Sequence, residues 1–319
     1  MVVKMRRAFG IAAVVLLAGA CLAAWYLNTG AFQETARSML ISRIEKATGM
    51  RARIDRVAVD IFRGRFEIDK LELTPPASAS GLSTLRAEKI RAALSVSSFW
   101  RLRVRLDELF ILRPEVELLS GGGSGWNPEE TLKTVKLSLR LEAGKVWVSE
   151  GRLRINEYAA PFHLQLEDLD CEIRYSDRRP SYKIRLDYKR SRIYYRRRDI
   201  VHDLAAQADL SAQGIEIESF DLRYGRSRLQ GYASVRGWDA PVLLVHAGGT
   251  VGAEDLILAH PSLKEGDGTI QIETDLRRDA KGIHAEGRFS ASRAGYRRMN
   301  FRDLAGGYEI AEEVLHIRE

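Results

Sequence analysis

Residues 181–189, with the sequence SYKIRLDYK, decide the fold class because polar and apolar side chains alternate strictly along them. Tyr182, Ile184, Leu186 and Tyr188 fall on one face of an extended strand, and the charged residues between them fall on the other. Similar runs recur along the chain, and turn-type residues separate them at intervals of roughly 8–15 residues. This rhythm predicts an antiparallel β-meander with one apolar and one charged face.

The alternation is nearly as regular over residues 135–142, and it returns in shorter runs at 215–218 and 270–273. From these runs we predict that one continuous apolar surface is lined by Val135, Leu137, Leu139, Leu141, Ile184, Leu186, Ile215 and Ile217. The interleaved residues Lys136, Arg140, Lys183 and Glu216 are expected to face solvent.

Shorter alternating runs precede this region, and they predict a first β region over residues 50–119. The expected strands are 53–60, 65–73, 87–96, 102–112 and, after Pro114, 115–119. Residues 120–130 form a Gly/Ser-rich loop of linker composition. The remaining residues, 131–319, are expected to form a second, repetitive β region that reaches the last residue of the sequence.

A short amphipathic helix is predicted within residues 28–49. Over 31–48, apolar residues recur at helical spacing, and Gly49 stands where a helix would end. This helix has two expected roles, which are packing against the end of the following sheet and binding the membrane surface.

The apolar face of so many strands has to be covered, and two arrangements can do this. A compact sandwich buries the face against a second sheet. An elongated sheet that curls along its length leaves a hydrophobic groove, a β-taco, whose natural occupants are acyl chains. The predicted fold class is the second, all-β arrangement, preceded by one transmembrane helix and one short amphipathic helix.

Residues 8–27 form an uncharged apolar segment that is long enough to span a bilayer. Lys4, Arg6 and Arg7 precede it, so residues 1–7 are expected in the cytoplasm and the bulk of the chain in the periplasm. The residues expected to anchor the chain are Ala8, Leu16, Leu17, Trp25, Tyr26 and Leu27.

Two processing signals compete with an uncleaved anchor. Residues 18–20, Ala-Gly-Ala, fit the small-residue pattern of a signal peptidase site. Cys21 follows directly and suggests lipoprotein processing, although Ala18 stands where a larger aliphatic residue is usual. Trp25 and Tyr26 fit an interfacial aromatic belt, which favours the anchor.

No arrangement in the sequence predicts catalysis, a cofactor or a metal site. The six histidines lack the spacing of zinc hydrolases and are expected on the surface and in turns. The glycines at 121–125 lack the Lys-Ser/Thr of a phosphate-binding loop. The basic run at 189–198 interleaves aromatics, but a periplasmic segment does not meet nucleic acid. The net charge of +7 is consistent with anionic lipid surfaces as partners.

The region 44–118 resembles the N-terminal part of the AsmA-like family, particularly its TamB-type members in diderm bacterial envelopes. The matching elements are Ala47-Thr48-Gly49, Gly64-Arg65, Leu71-Glu72-Leu73, Ala87-Glu88-Lys89-Ile90 and Leu112-Arg113-Pro114-Glu115-Val116. These join the apolar anchor and cover about the first third of the chain.

The resemblance implies a bridge-like protein of the inner membrane that carries phospholipids along a hydrophobic β-groove towards the outer membrane. For TamB-type members it also implies a role in outer-membrane protein assembly, with an outer-membrane assembly protein as partner. The alternatives are therefore an assembly scaffold and an anchored component of lipopolysaccharide export. At 319 residues the sequence is short for a bridge between two membranes.

Overall fold

The computed structural model describes residues 29–60, 63–75, 82–94, 106–120, 143–157, 162–176, 181–195, 198–238, 240–255, 266–280, 282–296, 299–311 and 314–318. These residues form one helix, α1 (Gly30–Thr48), and one sheet of fifteen strands. The strands are β1 (Arg51–Asp60), β2 (Arg65–Thr74), β3 (Leu82–Leu94), β4 (Leu106–Ser120), β5 (Ala143–Glu157), β6 (Phe162–Ser176), β7 (Ser181–Tyr195), β8 (Arg198–Ser211), β9 (Gly214–Tyr224), β10 (Ser227–Arg236), β11 (Val242–Gly252), β12 (Gly266–Asp279), β13 (Gly282–Tyr296), β14 (Met299–Ala311) and β15 (Val314–Arg318).

The strands pair in sequence order, so each lies beside the strands that precede and follow it in the chain. This order confirms the predicted meander. All fifteen strands belong to one sheet rather than to the two facing sheets of a sandwich.

One neighbouring pair departs from the predicted antiparallel order, because β4 and β5 run parallel. Two parallel neighbours need a connection that returns the chain to the starting end, which takes a dozen or more residues. Residues 121–142, between the two strands, are numerous enough for this. The predicted loop at 120–130, apart from Ser120 at the end of β4, and the alternating run at 135–142 lie outside the described residues, so both stay predictions.

The strand β4 corrects a second prediction, which placed two separate runs on either side of Pro114. The structure has one strand, in which Pro114 is the register partner of Ala87 on β3. The preceding residue, Arg113, has a φ of 47°, so the ladder is already distorted there. The missing N–H of proline is tolerated at such irregular positions of a sheet.

The helix α1 begins and ends where the sequence predicts. The Thr29 side chain caps its first turn by accepting a hydrogen bond from the Phe32 N–H at 3.4 Å. Gly49 ends it in the left-handed region with a φ of 69°, which glycine adopts without steric cost.

The helix packs on the first three strands, which confirms the first of its two expected roles. Its apolar residues Phe32, Ala36, Leu40 and Ile44 lie against a buried cluster. The cluster consists of Ile54, Val57, Val59, Leu71, Leu73 and Ala87.

Side chains of α1 also form hydrogen bonds with backbone groups of the edge strand β1. The Arg37 Nε donates to the carbonyl oxygen of Ile54 at 2.7 Å, and the Ala52 N–H donates to Glu45 Oε1 at 3.1 Å. Capping of edge groups opposes the addition of another strand. This end of the sheet is therefore closed to pairing at these two positions.

Several strands contain a non-glycine residue in the left-handed region. These residues are Lys70, Arg113, Glu150, Asp168, Arg190 and Asp303. The phase of the alternation slips by one residue at such a position: on β6, Leu164 and Leu166 share a face with Leu169 and Cys171 across Asp168. The slip keeps the apolar residues on one side while the strand bends.

Ion pairs join several of these left-handed residues to neighbouring strands. Lys70 Nζ lies 3.0 Å from Asp55 on β1, and Arg113 lies 2.9 Å from Glu88 on β3 and 2.7 Å from Glu150 on β5. Arg190 on β7 pairs with Asp168 on β6. Because these side chains are largely exposed, each pair contributes only modestly to stability.

No helix within the described ranges is both long and apolar enough to cross a membrane. The predicted anchor at 8–27 lies outside the residues that the structure describes. It therefore stays a prediction.

We expect Glu150→Val to lower the midpoint of urea unfolding more than the matched change Glu115→Val. Both glutamates are partly exposed and pair with an arginine, at 2.7 Å and 2.9 Å, but only Glu150 has a positive φ, of 54°. A β-branched residue in the left-handed region costs roughly 1–2 kcal/mol. Glu150→Gly should restore the midpoint. Equal midpoints for the two valine variants would contradict this account of the bend.

Candidate functional site

One line of apolar side chains crosses the sheet without a polar interruption from β1 to β14. We call it the apolar row. Its members, joined strand to strand by their register, are Val59, Phe66, Ala92, Leu109, Val146, Ile173, Ile184, Ala208, Ile217, Ala233, Val245, Leu276, Ala285 and Ile310. Directly paired residues point to the same side of a sheet. At about 4.8 Å per strand, the row extends for roughly 60 Å along the sheet.

The predicted lining residues that the structure describes lie on this face. Ile184 and Ile217 are members of the apolar row. Leu186 lies in the neighbouring line between Cys171 and Ala206, and Ile215 lies in the line on the other side.

The residues that the sequence predicts to face solvent are exposed where the structure describes them. Lys183 and Glu216 are exposed, as predicted. Val135, Leu137, Leu139 and Leu141, with Lys136 and Arg140, lie outside the described residues.

Most of the apolar row is only partly buried. Val59 is covered by the cluster beneath α1, and Ala233 and Ala285 are the other buried members. The other eleven members keep part of their surface accessible. In the described part of the chain, strands make their extensive contacts only with sheet neighbours, so no second layer of structure covers this face beyond the helix.

A second line of register partners on the same face contains four polar residues. Ser191 on β7, His202 on β8, Tyr224 on β9 and Ser227 on β10 are successive register partners. We call them the polar rung. Three of them are buried, with Ser191 at 0% exposure, His202 at 5% and Ser227 at 3%.

The buried imidazole of His202 is held by a tyrosine on the neighbouring strand. His202 Nε2 lies 3.1 Å from the Tyr188 hydroxyl oxygen, and the two rings meet edge to face. Burial lowers the pKa of His202 and raises the pKa of Tyr188 to about 12, with Asp203 adding to the second effect. Both groups are therefore neutral near pH 7, which is the state that an apolar environment favours.

His202 corrects the expectation that the histidines occupy the surface and turns. One signal in the sequence could have found it: His202 falls in phase with Ile200, Leu204 and Ala206, on the apolar side of the alternation. A polar residue on that side is either buried with a partner or at the edge of the sheet.

The other end of the polar rung is closed by Asp255, just beyond β11. The Ser227 hydroxyl donates to Asp255 Oδ2 at 2.6 Å, and the Arg226 N–H donates to the same oxygen at 2.9 Å. The Gly252 N–H donates to Ser227 Oγ at 3.0 Å. We call this set of contacts the Asp255 clamp, and it ties the β9–β10 turn to the end of β11.

No group of three or more His, Cys, Asp or Glu side chains in the described ranges is placed to hold a metal ion. Cys171 lies beside the apolar row, where burial and, secondarily, Glu172 raise the pKa of its thiol to about 11. A thiol with this pKa stays protonated and weakly nucleophilic at neutral pH.

No family model and no curated protein matches the chain. Membership of the AsmA-like family therefore stays a prediction.

We expect the chain to lose stability as the pH falls below about 6.5, partly because of His202. The pKa of His202 is lower in the folded chain than in the unfolded chain, so the unfolded chain binds the proton more readily and acid favours unfolding. Urea midpoints measured from pH 7.5 to 5 should fall less steeply for His202→Phe than for the wild type. Tyr188→Phe, which keeps the imidazole, should retain the full acid effect. An unchanged slope in His202→Phe would contradict this assignment.

Proposed function

We propose that this chain carries phospholipids between the inner and outer membranes of a bacterial envelope, with their acyl chains in a groove formed by the apolar face. The observation that carries the proposal is the apolar row, which continues through fourteen successive strands with no polar residue in it. A discrete binding pocket needs a bounded surface, whereas a path for sliding molecules needs an uninterrupted one.

The bends in the strands support a curled rather than a flat sheet. Four consecutive strands, β4 to β7, each bend at one left-handed residue, namely Arg113, Glu150, Asp168 and Arg190. Bends aligned across neighbouring strands fold this part of the sheet along one line. With the apolar residues on the inner side, the folded sheet is a trough of the β-taco type.

The groove is suited to acyl chains by its composition. Each buried methylene group gains about 0.8 kcal/mol, and this gain is the same at successive positions along the row. A lipid therefore moves from strand to strand without leaving a deep minimum. The charged residues of the other face, such as Lys183 and Glu216, keep the outer surface in water.

The membrane placement comes from the sequence. The uncharged segment 8–27 and the basic residues before it indicate an anchor in the inner membrane with the sheet in the periplasm. The helix α1 follows this segment directly and covers the apolar face only over the first strands. Phospholipid would then occupy the open part of the face, from β4 onwards.

Photocrosslinking in cells tests lipid occupancy. A photoreactive residue at Ile184 or Ile217, both in the apolar row, should give phospholipid adducts, because these side chains point into the groove. The same residue at Lys183 or Glu216, one position away on the same strands, should give none. Adducts at all four positions, or at none, would contradict the proposal and favour an interaction scaffold.

A charge placed in the groove should slow phospholipid transfer. We expect Ala208→Asp to slow phospholipid transfer between vesicles several-fold, because Ala208 lies in the apolar row and a carboxylate there disfavours a passing acyl chain. Gln207→Asp, on the exposed side of the same strand, is the matched control and should transfer at the wild-type rate. Equal transfer by the two variants would exclude the apolar row as the path.

A further inference from the structure

Between β4 and β13 the strands are shortest in the middle, and β10 is as short as β1 and β2 beneath the helix. Strands β4 to β7 have 15 residues each, β9 has 11, β10 has 10 and β13 has 15 again. At about 3.4 Å per residue, the strands shorten from roughly 50 Å to 34 Å and lengthen again. We call β9 and β10 the waist.

The apolar wall is the set of side chains that each strand turns towards the groove. It contains fewer side chains at the waist. On β6 the groove side carries six side chains, Leu164, Leu166, Leu169, Cys171, Ile173 and Tyr175. On β10 only Leu229, Gly231, Ala233 and Val235 remain, because Ser227 of the polar rung takes the next position. Two of these four are small, and Phe220 of β9 lies beside Gly231.

The waist is held in place on its polar side. The Asp255 clamp ties Ser227 and Arg226 to the end of β11 with contacts of 2.6 Å and 2.9 Å. Gly225 in the same turn has a φ of 54°, and a Cβ there would lie 2.1 Å from Asp255 Oδ1. The turn is therefore packed closely against the carboxylate, and this rim cannot move outwards without breaking the clamp.

We propose that the waist is the constriction of the groove and that it selects lipids by the number of their acyl chains. This inference rests on the proposed function. A lipid with two chains needs a narrow strip of wall and keeps to the apolar row, which passes through the waist unbroken at Ile217 and Ala233. A lipid with four chains covers more of the wall and forces apolar surface onto the polar rung, whose hydrogen bonds are already satisfied within the protein.

The test compares transfer of phosphatidylglycerol, which has two chains on one phosphate, with transfer of cardiolipin, which has four chains on two phosphates joined by the same glycerol headgroup. The purified full chain should transfer phosphatidylglycerol several-fold faster. Ile217→Trp at the waist should slow transfer of both lipids more than Ile173→Trp on the wide strand β6. Glu216→Trp, on the exposed face of β9, should leave transfer unchanged and controls for the added ring.

A widened waist gives a second readout that does not depend on the tryptophan variants folding. Phe220→Ala should raise cardiolipin transfer relative to phosphatidylglycerol, because it removes the largest side chain beside Gly231. An equal effect of Ile217→Trp and Ile173→Trp, or an unchanged lipid ratio in Phe220→Ala, would overturn the constriction. Absence of transfer of either lipid by the wild type would instead overturn the proposed function.

Discussion

The structure depends on one geometric constraint: a bent sheet keeps an apolar face only if the alternation of its strands slips where they bend. Side chains alternate with a period of two, so a strand that merely bends carries the same pattern to its end. A left-handed residue shifts that pattern by one position, as Asp168 does between Leu166 and Leu169. Because β4 to β7 each contain such a residue, the apolar face stays continuous across the bend.

This constraint explains why charged residues occupy backbone positions that usually favour glycine. Each left-handed residue costs about 1–2 kcal/mol relative to an extended one. Lys70, Arg113 and Arg190 each reach an acidic side chain on an adjacent strand, so the bend places their charges where a partner lies. Glycine would remove the strain but would also remove these ion pairs.

The alternation predicts the all-β class, the order of the strands and which side of each strand is apolar, because these properties are local. Ile184 and Glu216 stand on the faces that their spacing predicts. Three features were not predicted, because each depends on how strands pair and contact one another. The local alternation of polar and apolar residues does not encode this. The parallel pair β4–β5 joins strands that are far apart in the sequence, the continuous strand through Pro114 depends on a distortion at Arg113, and the burial of His202 depends on Tyr188.

The distribution of stabilising contacts along the sheet indicates why the apolar row can remain uncovered. In a sheet where each strand contacts only its neighbours, stability has to be supplied locally along its length. The helix contributes at β1 to β3, the exposed ion pairs at the bends contribute modestly from β3 to β7, and the polar rung with the Asp255 clamp contributes from β7 to β11. None of these contacts uses the apolar row beyond the helix. Cross-strand pairs within the row contribute as well, yet eleven of its members keep part of their surface accessible, so the described strands are held together without a second layer over this face.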